Sequence, residues 1–215
     1  MGRVISIRKQ QADETREKLV SLAWEMVRKH GIDSFTVKHL AQKAGVAVGL
    51  PYSYFRTRDG LIDELRVRAW DRLEQILQAT VGTPEQAAQR GDIETSIRRA
   101  METIVDFALR EPHVYELVIL RPGMTLSQRV LEREIRTAQR LVQLLYKGQE
   151  QGEFRFRGDP TVFALALWTG VQGYVERMGA KTAPMFRNYQ EKVLDEMFDI
   201  FFARVRIKGM KTPSS

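Results

Sequence analysis

The sequence predicts an all-α protein of about nine helices, divided into an N-terminal domain of residues 1–58 and a C-terminal domain of residues 59–215. Apolar residues recur at steps of three and four along nearly every segment, which is the period of one helix face. Gly and Pro residues separate these segments. The segment 152–159 alternates apolar and polar residues, but it is too short for more than a loop. The elements therefore follow from the apolar period and its interruptions.

The N-terminal part contains one long helix and two short ones. Apolar positions predict a helix from Ala12 to His30. Thr36 is suited to cap a short helix that ends at Gly45, because glycine adopts the left-handed conformation at little cost. A second short helix begins near Val48, and Asp59 is a candidate N-cap for the long helix that follows.

The C-terminal part begins with a break at residues 81–86, where the sequence reads VGTPEQ. Proline and glycine residues then divide the remaining chain into helical stretches. These stretches lie near residues 92–110, 112–121, 127–151, 159–179 and 186–206.

The charge of the chain is concentrated near its N-terminus. Residues 1–60 contain 11 Lys and Arg against 6 Asp and Glu, whereas residues 61–215 contain 23 against 21. A basic N-terminal quarter is expected where a protein binds a polyanion. With 43% hydrophobic and 28% charged residues, the chain has the composition of an ordinary globular protein.

Several classes of protein are disfavoured by what the sequence lacks. It contains no cysteine, and its three histidines have no ligand spacing, so we predict neither disulfides nor a metal site. We find no motif of a nucleophilic, phosphate-binding or metal-dependent enzyme, and we assign no catalytic residue and no cofactor. No signal peptide or stretch of about 18 apolar residues is present, so we expect a cytoplasmic protein without membrane contact.

The two short helices have the length and spacing of a helix-turn-helix. The first would pack an apolar inner face on the preceding long helix, while the second would enter the major groove. Lys38, Arg56 and Arg58 flank the second helix, where they could contact phosphates. The alternative is that these are two ordinary helices of a bundle with their aromatic residues in the core, which is the role expected for Phe55.

The segment that carries this motif reads FTVKHLAQKAGVAVGLPYSYFRTRDGLIDEL, from Phe35 to Leu65. It has a threonine, a short helix ending in Ala-Gly-Val, a second helix ending in Tyr-x-Tyr-Phe and then a basic residue. Over roughly residues 10–65 the chain resembles the tetracycline-repressor (TetR) family of bacterial transcription regulators. The rest of the chain agrees with that family only in length, helix count and a closing pair of long helices.

The resemblance implies roles for individual residues. Thr36 would cap the first helix of the motif, and Arg58 would contact phosphate at the start of the fourth helix. Arg3, Arg8 and Lys9 would belong to a disordered basic N-terminal arm that follows the DNA. The DNA-binding residues implied are Val37, Lys38, Val48, Gly49, Leu50, Tyr52, Ser53, Tyr54 and Arg58.

Three positions depart from the family pattern. Val48 stands where the family usually has a polar or basic residue, and Leu50 where it often has Thr, Ser or Ala. Pro51 replaces a common core residue. Because side chains able to read guanine or adenine bidentately are missing here, base readout would depend on thymine methyl groups and tyrosine hydroxyls. A weakly specific or effector-independent DNA-binding protein is therefore the alternative to a sequence-specific regulator.

The last two helices are predicted to form a homodimer. The second of them has apolar residues around much of its circumference, more than packing on one side requires. A twofold dimer would hold two recognition helices about 34 Å or more apart and would bind an inverted-repeat operator in double-stranded DNA. The residues predicted for the interface are Phe163, Leu167, Gly170, Val171, Tyr174, Leu194, Met197, Phe198 and Phe201.

The C-terminal helices also carry a stripe of methionine and aromatic residues. Such a stripe is more often core than a binding pocket, but the resemblance implies a small apolar or amphipathic effector between these helices. The residues predicted to bind it are Met101, Ile104, Phe107, Tyr115, Met124, Leu145 and Trp168. The combined expectation is a transcriptional regulator, in the simplest case a repressor that the effector releases from its operator.

Overall fold

The computed structural model describes residues 2–119, 125–179 and 188–207, without the side chains of residues 2–8 and 179. This part of the chain contains ten α-helices and no strand, which confirms the all-α prediction. Every described helix is too short or too polar to span a bilayer. The helices are α1 (Gly2–His30), α2 (Val37–Ala44), α3 (Gly49–Phe55), α4 (Arg58–Val81), α5 (Pro84–Arg90), α6 (Ile93–Arg110), α7 (Pro112–Val118), α8 (Gln128–Glu150), α9 (Pro160–Gly179) and α10 (Gln190–Ala203).

Three features of the helices differ from the predictions, namely the start of α1, the presence of α5 and the cap of α4. Helix α1 begins at Gly2 and not near Ala12, so the backbone of the expected disordered arm is helical, while the side chains of Arg3 and Arg8 lie outside the described residues. Helix α5 was not predicted. It begins with a capping box, in which the side-chain oxygens of Thr83 and Gln86 each accept a hydrogen bond from the backbone N–H of the other residue. This capping box lies in the segment 81–86, where the sequence predicted a break.

The cap of α4 is also a correction. The Thr57 hydroxyl accepts a hydrogen bond from the Gly60 N–H at 3.0 Å, whereas Asp59 lies in the first turn of the helix. Threonine is a favourable N-cap residue, and here its oxygen stands at the position that reaches the free N–H.

The chain divides into two compact units, the first comprising Met1–Asp71 and Glu111–Arg133, the second Arg72–Arg110 and Glu134–Ser215. Helices α4 and α8 contribute residues to both units. The boundary predicted at residue 58 follows the DNA-binding motif and not this packing, and as a functional boundary it stays a prediction.

The first unit is built around α1, which packs against α2, α3 and α7. Leu19, Ala23 and Val27 of α1 are almost completely buried, and they follow one another at steps of four residues along one helix face. Gly31 ends this helix in the left-handed conformation, with φ of 79°. A Cβ atom at Gly31 would stand 3.1 Å from Nδ1 of His113, at the start of α7, so glycine also permits close packing here.

In the second unit, α6 packs against α5 and α9, and α9 packs against α10. Gly170 of α9 permits the close approach of α10, because a Cβ there would lie 3.2 Å from the Phe201 ring. Gly170 therefore allows α9 and α10 to pack closely within the chain. No atom of the described residues lies within 4 Å of a Cβ placed at Gly173, also on α9.

The loop 152–157 joins two parts of the second unit that are distant in sequence. The Glu153 carboxylate accepts hydrogen bonds from the N–H groups of Ile93 and Glu94 at 3.2 and 3.3 Å, at the start of α6. The same loop forms an antiparallel bridge between Phe154 and Arg206, just after α10. One short segment thus satisfies free backbone groups of α6 and holds the chain that follows α10.

Candidate DNA-binding interface

Helix α2 begins and ends as its sequence predicts. The Thr36 hydroxyl accepts a hydrogen bond from the His39 N–H at 3.2 Å and so caps the helix. Gly45 follows the helix with φ of 70°, and its N–H donates to the Gln42 carbonyl at 3.2 Å. The next N–H, of Val46, donates to the Ala41 carbonyl at 3.0 Å, which closes a Schellman-type end and turns the chain toward α3.

The inner face of α2 is buried. Leu40 and Ala41 are completely inaccessible to solvent, and Val37 is 4% exposed. Val37 precedes these residues by three and four positions, so it lies on the same helix face and belongs to the core. The contact of Val37 with DNA stays a prediction, and its buried side chain does not support it.

Helix α3 is fixed to the first unit by two residues on one face. Pro51 and Phe55, four positions apart, are buried. The guanidinium carbon of Arg16, on α1, lies 5.3 Å from the centre of the Phe55 ring, in cation–π geometry. The core role predicted for Phe55 is confirmed, and Pro51 is buried on the same helix face. Pro51 is tolerated in the first turn because the N–H groups there have no acceptor within the helix.

The opposite face of α3 is open to solvent. Val48 and Tyr52 are 46% and 44% exposed, Gly49 and Ser53 are exposed, and Leu50 and Tyr54 are half-buried. The Ser53 hydroxyl donates to the Leu50 carbonyl at 2.7 Å, so towards a ligand its oxygen can act only as an acceptor. The sequence-predicted residues of α3 thus form one exposed surface of apolar, small and hydroxyl-bearing side chains.

Cationic side chains stand beside this surface without acidic partners. Lys38 and Lys43 of α2 are exposed, and neither forms an ion pair or side-chain hydrogen bond within the described residues. Arg56, directly after α3, is likewise exposed, and its φ of 63° is positive. Lys43 was not predicted, although its position one residue before the end of α2 could have indicated it.

Arg58 has a structural role that the sequence did not reveal. Its guanidinium donates to the Ile32 carbonyl at 3.0 Å and to the Phe35 carbonyl at 3.4 Å. Arg58 therefore ties the start of α4 to the turn between α1 and α2. Its contact with a phosphate stays a prediction.

An ionic cluster centred on Glu64 supports the motif from α4. Arg16 of α1 lies 2.7 Å from the Glu64 carboxylate, and Arg129 of α8 also pairs with it. Burial alone would raise the pKa of Glu64, but the hydrogen bonds from Arg129 and Arg16 outweigh it and hold the pKa below its usual value. The carboxylate is therefore charged at neutral pH and joins α1, α4 and α8.

Family models match this motif and the second half of the chain. The model for bacterial regulatory proteins of the tetR family matches residues 19–65, which include α2, α3 and the start of α4. A tetracyclin repressor-like C-terminal domain model matches residues 97–201. The chain belongs to the TetR family. As a TetR-family member it is a transcriptional regulator, and the family is one of regulators and not of enzymes.

A regulator of known sequence is similar to this chain. The HTH-type transcriptional regulator BetI of Escherichia coli O17:K52:H18 (strain UMN026 / ExPEC) is 27% identical over 130 residues, covering 54% of this chain and 67% of BetI.

Solved structures share the fold over nearly the whole chain. A protein of unknown function from Rhodococcus sp. RHA1 has a TM-score of 0.69 at 22% identity, covering 90% of this chain and 96% of that one. RolR in complex with resorcinol has a TM-score of 0.65 at 15% identity, covering 96% and 98%. The SmeT–triclosan complex has a TM-score of 0.63 at 18% identity, covering 94% and 96%.

The predicted effector residues of this TetR-family chain are mostly buried. Four of them lie in the second unit with exposures of 0–4%, namely Met101, Ile104, Phe107 and Leu145. Trp168 of the same unit is half-buried. Tyr115 belongs to the first unit, where burial raises its pKa to about 12. Met124 lies outside the described residues. An effector role for these residues stays a prediction.

The residues predicted for the dimer interface of the TetR-family chain differ in exposure, and their contact with a second copy stays a prediction. Five of the nine are buried within the second unit: Leu167, Val171, Tyr174, Leu194 and Phe198. Phe163, Gly170, Met197 and Phe201 are half-buried. The buried five pack inside the chain, as the hydrogen bond from the Tyr174 hydroxyl of α9 to the Gln190 carbonyl of α10 illustrates. The exposed apolar residues of these helices are Val162, Leu165, Val193 and Ile200.

Proposed function

We propose that this TetR-family regulator is a repressor that binds an inverted-repeat operator as a homodimer and is released by a small apolar or amphipathic effector. The observation that carries the DNA-binding part is the exposed outer face of α3, anchored through Pro51 and Phe55 and flanked by cations without acidic partners. Exposed cations around a protruding helix meet the phosphates, while the helix itself enters the groove.

Sequence readout would depend on few groups. Val48 and Tyr52 are the most exposed large side chains of the α3 segment. A valine can contact a thymine methyl group, and a tyrosine hydroxyl can donate to or accept from a base edge. The runner-up function, a weakly specific or effector-independent DNA-binding protein, is favoured by the absence of an Arg, Lys, Asn or Gln on this helix.

Selection from a random DNA library tests the specificity directly. At about 150 mM salt, where nonspecific phosphate binding is weakened, the bound duplexes should be enriched in an inverted repeat. Lys38→Ala should weaken retention, while Lys192→Ala, the same change at an exposed position of α10, should not. Retention of DNA without enrichment of any sequence would support the runner-up function.

The homodimer is proposed to form through the outer faces of α9 and α10. Val162, Leu165 and Ile200 are 67%, 58% and 61% exposed, which is unusual for large apolar residues on regular helices. Covering these residues with the same surface of a second copy would bury them without leaving a free edge.

Sedimentation measures this association. Ile200→Glu should convert a dimer to a monomer, because a buried unpaired carboxylate opposes its own copy across a twofold interface. Ile135→Glu is the matched control, since Ile135 of α8 is 45% exposed and lies outside the proposed interface. Equal sedimentation of the two variants as dimers would place the interface elsewhere.

The effector is proposed to act through coupling between its own binding and the binding of the operator DNA. Solved complexes of SmeT with triclosan and of RolR with resorcinol support a small organic molecule as ligand for this fold. An effector that binds better to a dimer unsuited to the operator must weaken operator binding by the same free energy, typically about 1–3 kcal/mol. Helix α4 is the proposed transmitter, because its residues belong to both packing units.

Half-buried Trp168 gives a readout for this step. An effector that binds among the predicted residues should change the Trp168 fluorescence and lower operator affinity about 5- to 150-fold at saturation. Trp24 and Trp70 would be replaced by Phe to isolate the signal. An effector that binds without changing operator affinity would contradict the proposed release.

A further inference from the structure

A cavity of about 540 Å³ lies within the second unit, between the loop before α9, the start of α9 and the end of α10. It shares no residue with the predicted effector set, but its lining includes Val162 of the proposed dimer surface and Phe163 and Phe201 of the predicted interface, so the inference rests on the proposed dimer leaving the cavity open. Its volume is within the range of small-molecule sites, which are mostly apolar with a few convergent polar groups. Its lining has this composition, since it combines three phenylalanine rings with two arginines and one aspartate.

The aromatic side of the cavity is held in place by ring packing. Phe156 and Phe163 meet edge to face with ring centres 5.4 Å apart, and Phe163 and Phe201 do so at 5.9 Å. Behind them, Phe154 and Phe202 stack at 5.6 Å and are completely buried. Because these rings fix one another, the cavity is preformed, and its apolar side presents both the faces and the edges of aromatic rings.

The charge of the lining is positive. Arg157 and Arg204 are exposed, and neither forms an ion pair or side-chain hydrogen bond within the described residues. Asp159 also lines the cavity, but its carboxylate already accepts hydrogen bonds from the Thr161 N–H at 2.8 Å and the Tyr146 hydroxyl at 3.3 Å. The lining thus contains two guanidinium groups without a partner in the described part of the chain and one carboxylate that is engaged elsewhere.

We infer that this cavity binds a small amphipathic anion, with a flat aromatic body against Phe156, Phe163 and Phe201 and a carboxylate or sulfonate at Arg157 and Arg204. Guanidinium groups bind such anions through paired, charge-assisted hydrogen bonds. A cation would meet both arginines, and inorganic phosphate would leave the aromatic surface uncovered.

A second copy of the chain is a poorer occupant. An apolar side chain inserted from a partner would remove water from the two guanidinium groups and supply no counter-charge, which is unfavourable. A small anion satisfies the apolar surface and the charges together. The inference concerns binding at this cavity and does not depend on the operator.

Titration calorimetry with 2-naphthoate and its neutral analogue 2-naphthamide tests the inference on the full chain. The carboxylate should bind at least about tenfold more tightly than the amide, and its affinity should fall as salt is raised from about 50 to 500 mM. Arg157→Gln with Arg204→Gln should lower naphthoate affinity about 10- to 100-fold.

Two further variants locate the site. Arg155→Gln makes the same charge change on the same loop at an exposed arginine outside the lining, and it should change the affinity less than about twofold. Ala166→Phe places a ring in the cavity and should abolish binding of the carboxylate. Circular dichroism would establish that every variant remains folded.

Three results would overturn the inference. Equal affinity for the carboxylate and the amide would remove the role of the arginines. An equal loss of naphthoate affinity in Arg155→Gln and in the double variant would show that only the net charge of the protein matters, and not the two arginines of the lining. Binding to the Ile200→Glu variant but not to the wild-type chain would show that a second copy occupies the cavity.

Discussion

Removing the charge of Glu94 is expected to destabilise the second unit strongly. Glu94 lies in the first turn of α6, and its side chain is 7% exposed. It accepts hydrogen bonds from Nε of Arg98 at 3.0 Å and from Nε of Arg206 at 2.9 Å. Glu94→Gln keeps the shape of the side chain but leaves two guanidinium groups facing a neutral amide.

The size of the effect follows from the exposure of the partners. Breaking a fully buried ion pair costs about 3–5 kcal/mol. Here the side chains of Arg98 and Arg206 are 18% and 23% exposed, and Arg98 keeps a second partner in Asp199 at 2.6 Å. We therefore expect a loss of roughly 2–3 kcal/mol, which corresponds to a decrease in Tm of roughly 4–12 °C for a chain of this length.

Thermal and urea unfolding, followed by circular dichroism at one fixed protein concentration, measure this loss. The concentration must be fixed because dimerisation contributes to apparent stability. Asp106→Asn is the matched control on the same helix, since the Asp106–Arg110 pair has side-chain exposures of 55% and 77%. An exposed i,i+4 pair contributes about 0.3–0.5 kcal/mol.

The reasoning is refuted if Glu94→Gln and Asp106→Asn lower the stability equally. A double-mutant cycle with Arg206→Met separates the pair from its surroundings. The coupling free energy of the two substitutions should reach at least about 1 kcal/mol, because the residues are in direct contact.

Three further changes test other parts of the molecule. Gly45→Ala should lower the free energy of unfolding in urea by about 1 kcal/mol, because alanine is strained at a φ of 70°. The added Cβ has nothing within 4 Å, so a clash would not contribute, and an unchanged stability would contradict the strain. Arg58→Ala should weaken binding to all DNA sequences and flatten its salt dependence, whereas Tyr52→Phe should cost more on the preferred site than on random DNA; equal losses on both would contradict these roles. Stability should fall by up to about 3 kcal/mol between pH 10 and 12, because Tyr115 stays protonated up to about 12 in the folded chain but ionises near 10 when unfolded. Tyr115→Phe should flatten that decline, and an unchanged pH profile would exclude the tyrosine as its source.

Local signals in the sequence were sufficient for the DNA-binding motif. The cap at Thr36 and the left-handed Gly45 each depend on one residue and its nearest neighbours, so their conformations could be predicted without knowledge of the fold. Helix α5 was missed for a related reason. It has seven residues and only Pro84 and Ala87 buried, so it lacks an apolar period, and only the Thr83–Gln86 capping box indicates it.

Properties that depend on distant neighbours could not be predicted. Helix α10 is apolar around most of its circumference, so the sequence does not indicate which face packs inside the chain. Phe198 and Ile200 are both apolar, yet one is completely buried and the other is 61% exposed. The hydrogen bonds of Arg58 could not be predicted either, because the carbonyl groups that accept them lie 23 and 26 residues earlier in the chain.

The double attachment of the loop at Glu153 sets an order for folding during synthesis. The N–H of Arg155 donates to the Val205 carbonyl at 2.6 Å, and the N–H of Ile207 donates to the Glu153 carbonyl at 3.2 Å. These bonds join residues about 50 positions apart, and the loop bonds in turn to the start of α6, another 59 or 60 positions earlier. Contacts over such separations form late, since the intervening chain must first be ordered. The first unit already has α1–α4 and α7 when residue 133 has been made, whereas the second unit cannot complete its packing until residues 205–207 have left the ribosome.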